Sequence, residues 1–187
     1  TEIYTLSLHD ALPISISRLS DLIQDILSVD VIDPPIDSEN ILPISYSELI
    51  ESLMTNLKSE FADNANRLQF FAGIWHGLVK VDLDQIQRIL CYLIDNGLKF
   101  SDPDSIVKVM FSVEENATQL VVRLIDHGIG ISLEQEELVW EPFFRAGESN
   151  FNSGLGLGLF MARRLCRQIG GEIQFRPNVD KVGTTFT

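Results

Sequence analysis

Val81–Ser101 reads VDLDQIQRILCYLIDNGLKFS. At ~100° per residue, Ile86, Ile89, Leu90, Leu93 and Gly97 fall on one face, so the spacing predicts an amphipathic helix over Asp84–Phe100. Tyr92, Asn96 and Lys99 fall together on one flank of it, within about 60° of each other. An amide oxygen beside a cation suits a magnesium-bound polyphosphate: the amide can ligate the hard cation, and the lysine can meet phosphate oxygens as a point charge. Gly97 lets another element approach the helix closely. A solvated helix edge would show the same residues, so the chemistry depends on the segments this helix is combined with.

Downstream, Ile106–Val113 and Gln119–Ile125 are two β-rich runs joined by a polar turn at Glu114-Glu115-Asn116. The second run ends in Asp126-His127-Gly128-Ile129-Gly130-Ile131. A carboxylate at a strand end, followed by glycines, gives an acceptor beside backbone that can pack against a flat ring. Such an acceptor can read the exocyclic amine of adenine. His127 reads as an exposed loop residue. Trp140-Glu141-Pro142-Phe143-Phe144-Arg145 comes next, then a polar, aperiodic stretch, Ala146–Ser153, with the composition of a lid. Gly154-Leu155-Gly156-Leu157-Gly158-Leu159 then opens a helix predicted over Leu157–Ile169. Glycines at a helix N-terminus leave N–H groups facing outward, and the helix dipole favours an anion there. The spacing matches neither the dinucleotide fingerprint nor a P-loop, which needs GK[ST].

Upstream, Ile41–Ile44 is strand-like. Ser47-Glu48 opens a helix carrying Leu49, Ile50, Leu53, Leu57 and Phe61. Arg67–Ile74 and Leu78–Val81 read as a hairpin. Beyond the last helix, Glu172–Phe175 and Thr184–Thr187 read as strands. Strands and helices alternate while several strands come as hairpins, which predicts a mixed sheet with helices on one face, a two-layer α/β sandwich. Asp33-Pro34-Pro35-Ile36-Asp37-Ser38 reads as a linker within residues 33–40. Before it, Ile16, Leu19, Ile23 and Ile26 form the stripe of a single helix over residues 16–32 whose partner helix is not in the chain. Thr1–Ser15, TEIYTLSLHDALPIS, resembles an in-frame translation of a sequencing adaptor through about Ile14, and is set aside from the fold.

The chain has 187 residues, with 14 Lys+Arg against 27 Asp+Glu and a net charge of −13. That acidity argues against a nucleic-acid footprint but not against one small anion. Cys91 and Cys166 sit inside apolar patterns and read as buried free thiols. No Cys/His cluster has zinc spacing, and no apolar run approaches the ~18 residues of a membrane span.

The four elements, in this order, resemble the catalytic ATP-binding domain of sensor histidine kinases, of the Bergerat or GHKL type. VDLDQIQRILCYLIDNGLKFS is similar to that family's N box, DHGIGI to its G1 box, WEPFFRA to its F box and GLGLGL to its G2 box. GGEIQFRPNVDKVGTTFT resembles its final glycine box and hairpin. The resemblance covers residues 41–187. It implies that Asn96 ligates Mg2+ and that Lys99 meets phosphate beside Phe100. It implies that Asp126 binds the adenine amine, with Gly128, Gly130 and Ile131 beside the ring. It places Phe143, Arg145, Gly154, Leu155, Gly156, Leu157 and Gly158 around the phosphates of ATP under the lid. Thr184 is expected to support the adenine through water. The helix at 16–32 resembles the second helix of the dimerisation and phosphotransfer hairpin. The implied partners are that domain, a response regulator and a second subunit of the parent protein. The expected location is cytoplasmic, with the parent's membrane anchoring left open.

Two departures matter. Tyr92 stands where the family often has Asn, and where related ATP hydrolases of the gyrase, MutL or Hsp90 kind carry a catalytic Glu. Tyr92 cannot act as that base. No His-Glu-x-x-(Thr)-Pro box precedes Ile16, so the acceptor histidine is expected to lie outside this sequence. A serine-kinase anti-sigma relative shares the boxes but not the helix before Ile41. The remaining alternative is a degenerate nucleotide-binding or docking module without kinase activity.

Overall fold

The computed structural model describes residues 42–114, 119–145, 155–178 and 182–187. The adaptor-like segment, the helix expected at 16–32, the linker at 33–40 and Gly154 lie outside the described residues.

The first helix, α1 (Tyr46–Glu60), is preceded by the short strand β1 (Ile44–Ser45). The helix starts slightly before Ser47-Glu48. Ser45 is the N-cap: its hydroxyl accepts from the Glu48 amide at 3.2 Å, and the Glu48 carboxylate accepts from the Ser45 amide at 3.3 Å. This reciprocal capping box satisfies two otherwise orphaned donors. Leu49, Ile50, Leu53 and Leu57 are buried, as the helical period requires.

A 3-10 segment (Ala62–Arg67) leads into β2 (Leu68–Ala72), followed by β3 (Leu78–Val79). These two strands do not form the expected hairpin. β2 pairs in parallel with β4 (Val107–Val113), and β3 pairs antiparallel with β1. Alternation reveals a half-buried strand but not its partner. Helix α2 (Leu83–Phe100) is capped by Asp82, whose carboxylate accepts from the Gln85 amide at 3.0 Å. Its buried face is Ile86, Ile89, Leu90, Leu93, Ile94 and Gly97.

Among the described residues the large sheet has five strands in the order β2-β4-β5-β7-β6, with β5 at Leu120–Ile125, β6 at Phe175–Pro177 and β7 at Thr184–Phe186. β6 begins later than the expected Glu172. Gln174 still exchanges two 2.8 Å backbone bonds with Thr187, so the ladder reaches the last residue. The sheet is mixed, parallel at β2–β4 and antiparallel elsewhere. Val107, Val109, Phe111, Leu124 and Phe186 are buried, while Met110 and Arg123 on the opposite face are exposed. α2 packs on β4 and β5, and α1 and α3 (Gly158–Gln168) pack on α2. All three described α-helices therefore cover one face, which is the expected α/β sandwich.

The C-terminal end of α2 is held by Arg67, a residue without a local sequence signal. Its guanidinium donates to three carbonyls: Leu98 at 3.2 Å, Asp102 at 2.9 Å and Ser105 at 3.3 Å. A cation on the last carbonyls of a helix complements its dipole. This fixes the turn of α2 that carries Asn96, Lys99 and Phe100. Cys166 is buried and Cys91 half-buried, both as free thiols. Burial, aided by Glu60 and Asp95, pushes the Cys91 thiol up to about 12, so it stays protonated.

Candidate functional site

Asp126 follows the last residue of β5 and is only 6% exposed. Its Oδ1 accepts from the Gly128 amide at 2.9 Å and from the Thr184 amide at 3.1 Å. Its own amide donates to the Thr184 carbonyl at 2.9 Å. The second oxygen, Oδ2, has no hydrogen-bond partner among the described residues. Burial raises the Asp126 pKa, opposed by the Gly128 and Thr184 amides and by His127. One oxygen is thus fixed by the fold and the other is left to a ligand's donor. Thr184 serves this site through its backbone, because its side chain is 2% exposed.

The turn after Asp126 explains its glycines. Gly128 bridges to Ser101, and a Cβ there would lie 2.5 Å from the Phe100 carbonyl. That carbonyl also accepts from the Ile129 amide at 3.2 Å, which joins the end of α2 to the turn. Gly130 has φ +72°, a left-handed conformation that glycine adopts freely. Ile131 is half-buried and packs against the core. His127 is half-buried rather than exposed, and its Nδ1 is buried without a partner among the described residues.

On α2, Asn96 is half-buried, and its side-chain amide makes no hydrogen bond to a described residue. Lys99 is exposed and pairs with Asp95 one turn earlier. The exposure of both groups makes this a weak, screened contact that phosphate can displace. Phe100 is half-buried at the helix end.

The remaining residues meet across a second turn. Phe143 has φ +66°, the only non-glycine with positive φ among the described residues, and its amide donates to the Gly156 carbonyl at 3.0 Å. Gly156 has φ +75°, and a Cβ there would lie 2.5 Å from the Phe144 carbonyl. The segment after Pro142 is therefore laid directly on the glycine loop, with strain stored at Phe143. Leu157 is the N-cap of α3 and gives no side-chain cap. Among the described residues, therefore, no side chain caps the first α3 amides, an arrangement that can take an anion. Leu157 is itself buried, so only its backbone can serve a ligand, while Leu155 is exposed. Gly158 begins α3, and a Cβ there would lie 3.9 Å from the Tyr92 carbonyl of α2. Arg145 is half-buried on the approach to this turn.

Three further features carry no local sequence signal. Asn178 donates to the Asp126 carbonyl, Gly183 has φ +83°, and Trp140 packs on Phe175 and Phe186 with the Arg163 guanidinium 4.8 Å from its ring centre. A groove of about 530 Å3 between α1 and residues 72–76 includes none of the site residues.

Comparison with known proteins agrees with this fold. The chain is similar to the signal transduction histidine-protein kinase ArlS of Staphylococcus aureus, 27% identical over 186 residues. That match takes in 96% of this chain and 40% of ArlS, so the chain spans well under half of that relative's length. Among solved structures it resembles full-length ShkA in complex with AMPPNP, with a TM-score of 0.69 at 18% identity, covering 99% of this chain and 38% of that one. It also resembles the histidine kinase ThkA in complex with the response regulator protein TrrA, with a TM-score of 0.64 at 18% identity, covering 100% and 51%. A family profile described as histidine kinase-, DNA gyrase B- and HSP90-like ATPase matches residues 81–187, more than half of the chain. The chain belongs to that family, as an ATP-binding catalytic domain of the histidine-kinase type.

Proposed function

We propose that this chain binds Mg-ATP and supplies its γ-phosphoryl group to a histidine on a separate helical hairpin of a two-component sensor kinase. The observation that carries this reading is Asp126, with one oxygen held by two amides and the other available at the end of the central strand β5. The adenine amine donates to Oδ2, and the glycines at 128 and 130 let the ring lie close to the backbone. The open amides at the start of α3, with Arg145 and Lys99, receive the phosphates. The exposed Leu155 adjoins them.

Asn96 fits a magnesium site by its chemistry. It offers a hard, uncommitted amide oxygen on the flank shared with Lys99, and phosphate oxygens and water complete the shell that magnesium prefers. When bound at Asn96, magnesium would supply charge neutralisation on the transferring phosphates. A neutral imidazole nitrogen of the acceptor then attacks the γ-phosphorus. The bond from phosphorus to the β–γ bridging oxygen breaks, ADP leaves, and the imidazole loses its proton. The chain's contribution is position and fixed charge. Tyr92 occupies the place of a water-activating Glu in related hydrolases, which favours transfer over hydrolysis. The histidines of this chain, His9, His76 and His127, lack the acceptor box. ShkA with its bound AMPPNP and ThkA with its response regulator support the choice of ligand and partner. Among the described residues no helix is long and apolar enough to cross a membrane. A cytoplasmic place for this domain fits its use of ATP.

Calorimetric titration with ATP and GTP, with and without magnesium, tests the binding half. Adding the histidine-bearing hairpin in trans with γ-labelled ATP tests the transfer. The expected result is magnesium-dependent ATP binding and acid-labile label on the hairpin alone. Absence of nucleotide binding would replace this reading with the docking module. Acid-labile label on His9, His76 or His127 would show that the acceptor lies within the chain.

A further inference from the structure

We propose that Asn178 is a positioning residue for base recognition, acting through the backbone of Asp126. The inference rests on reading Asp126 as the group that meets the adenine amine. Asn178 follows β6 and reaches back 52 residues in sequence. Its Nδ2 donates to the Asp126 carbonyl at 2.7 Å and to the Val182 carbonyl at 2.7 Å. Its Oδ1 accepts from the Thr185 hydroxyl at 2.7 Å, and its amide donates to the Gly183 carbonyl at 3.3 Å. Both amide hydrogens and the amide oxygen are used. The reversed orientation would set Oδ1 against two carbonyl oxygens, so the geometry admits one arrangement.

The consequence falls on the Asp126 carboxylate. Oδ1 is pinned by the Gly128 and Thr184 amides, which fixes one end of the carboxyl group. The direction of Oδ2 then depends on the Asp126 main chain, and Asn178 holds that main chain from the carbonyl side. Gly183 makes room for the contact: a Cβ there would lie 2.2 Å from the Asp126 carbonyl oxygen. Asn178 after β6 and Gly183 before β7 therefore act as a clamp behind the base-reading residue. Asn178 itself need not touch the nucleotide.

The test measures ATP and GTP affinities of the full chain by calorimetry, with a thermal-unfolding check on each variant. Asn178→Asp keeps the shape but replaces the double donor with an acceptor facing two carbonyls. ATP affinity should fall about tenfold, with a smaller loss for GTP, so the ATP preference narrows. Thr185→Val, which removes only the donor to Oδ1, should narrow it about threefold. Asn178→Ser, which retains one donor, should recover part of the preference. In an Asp126→Asn background, Asn178→Asp should have no further effect on the ATP to GTP ratio, because its route to the base is gone. A merely structural role would lower the melting temperature and leave the ratio unchanged, and that result overturns the proposal. If Asn178→Asp does not fold, Thr185→Val decides alone. If Asp126→Asn leaves the ratio unchanged, the base reading has failed and the proposal falls with it. If Asp126→Asn shifts the ratio and the folded Asn178 and Thr185 variants do not, only the proposal falls.

Discussion

The two ends of the proposed site, one assigned to the base and one to the phosphates, are built by opposite means. At the base end, Asp126 is buried, and its Oδ1, amide and carbonyl all have protein partners, from Gly128, Thr184 and Asn178. At the phosphate end, Asn96 carries an uncommitted amide, α3 starts without a side-chain cap, and Phe143 sits at positive φ against Gly156. Asp126 itself is satisfied except for one oxygen, and the second end is left unsatisfied in several places among the described residues. A base presents few hydrogen-bonding groups, so one oriented acceptor can discriminate it, and orientation demands rigidity. A triphosphate carries several charged oxygens and must change partners as its terminal group leaves. A set of open amides with the exposed Lys99 and half-buried Arg145 suits that exchange better than a closed cage.

The comparison can be broken most forcefully at its two left-handed glycines, Gly183 and Gly156. Gly183→Ala should destabilise the domain by about 3 kcal/mol, from left-handed backbone strain plus the clash with the Asp126 carbonyl. β7 pairs with β5, so the damage enters the large sheet. Gly156→Ala carries similar local strain but lies in the loop before α3. It should cost about 1–2 kcal/mol of stability, weaken ATP more than adenosine, and leave the base preference intact. Thermal unfolding and calorimetry on both variants decide the matter. Equal effects on stability and on base preference would erase the distinction between the two ends.

Asp126→Asn probes the base end alone. The variant should lose on the order of 1–3 kcal/mol of ATP binding, with less loss for GTP, since an amide donor now faces the adenine amine. It should also reveal what the buried carboxylate costs the free protein. Burial raises the Asp126 pKa, so the folded state resists ionisation more than the unfolded chain does. Below about pH 4, the ordinary carboxylate range, the group is protonated in both states and carries no penalty. As pH rises through the folded value, the parent loses that stability and the Asn variant does not. The unfolding temperature of the variant relative to the parent should therefore climb with pH in the absence of nucleotide. A gap that narrows as pH rises would contradict the burial argument.

Asn96→Ala sharpens the phosphate end. Asn96 is half-buried at the margin of the buried face of α2, so its loss leaves little cavity. Magnesium should then enhance ATP affinity about tenfold less than in the parent, with unfolding unchanged. Unchanged magnesium dependence would remove Asn96 from the metal site.

The sequence announced parts of this contrast and concealed others for a physical reason. Local period was enough for α2, whose buried residues include every position named from its spacing. Asp126 was legible because a strand-ending carboxylate beside glycines is a local pattern. The partners were not. β2 finds β4 across α2, and no alternation in Leu68–Ala72 encodes that choice. Arg67 caps α2 from 31 residues away. Asn178 becomes meaningful only when a hairpin folds its amide onto Asp126. Turn residues such as Gly183 were visible as glycines, but the clash they avoid exists only in the assembled sheet.

Gly97→Ala should give the smallest effect and the most direct reading of packing at the base end. Gly97 lies on the buried face of α2, facing the end of β5. A Cβ added there would lie 3.4 Å from Val107 Cγ2 and 3.5 Å from both Asp126 Cβ and Leu124 Cδ2. These are ordinary van der Waals separations, so the methyl enters without displacing a neighbour. Alanine also removes the backbone-entropy cost of a helical glycine, worth about 0.8–1.0 kcal/mol. The variant should therefore be more stable by roughly 1 kcal/mol, a few degrees in unfolding temperature for a domain of this size. Its ATP to GTP preference should match the parent, because Asp126 stays clamped by Gly128, Thr184 and Asn178. A gain in stability with a lost preference would mean that a methyl contact can move Asp126, and that the base end is softer than its hydrogen bonds imply.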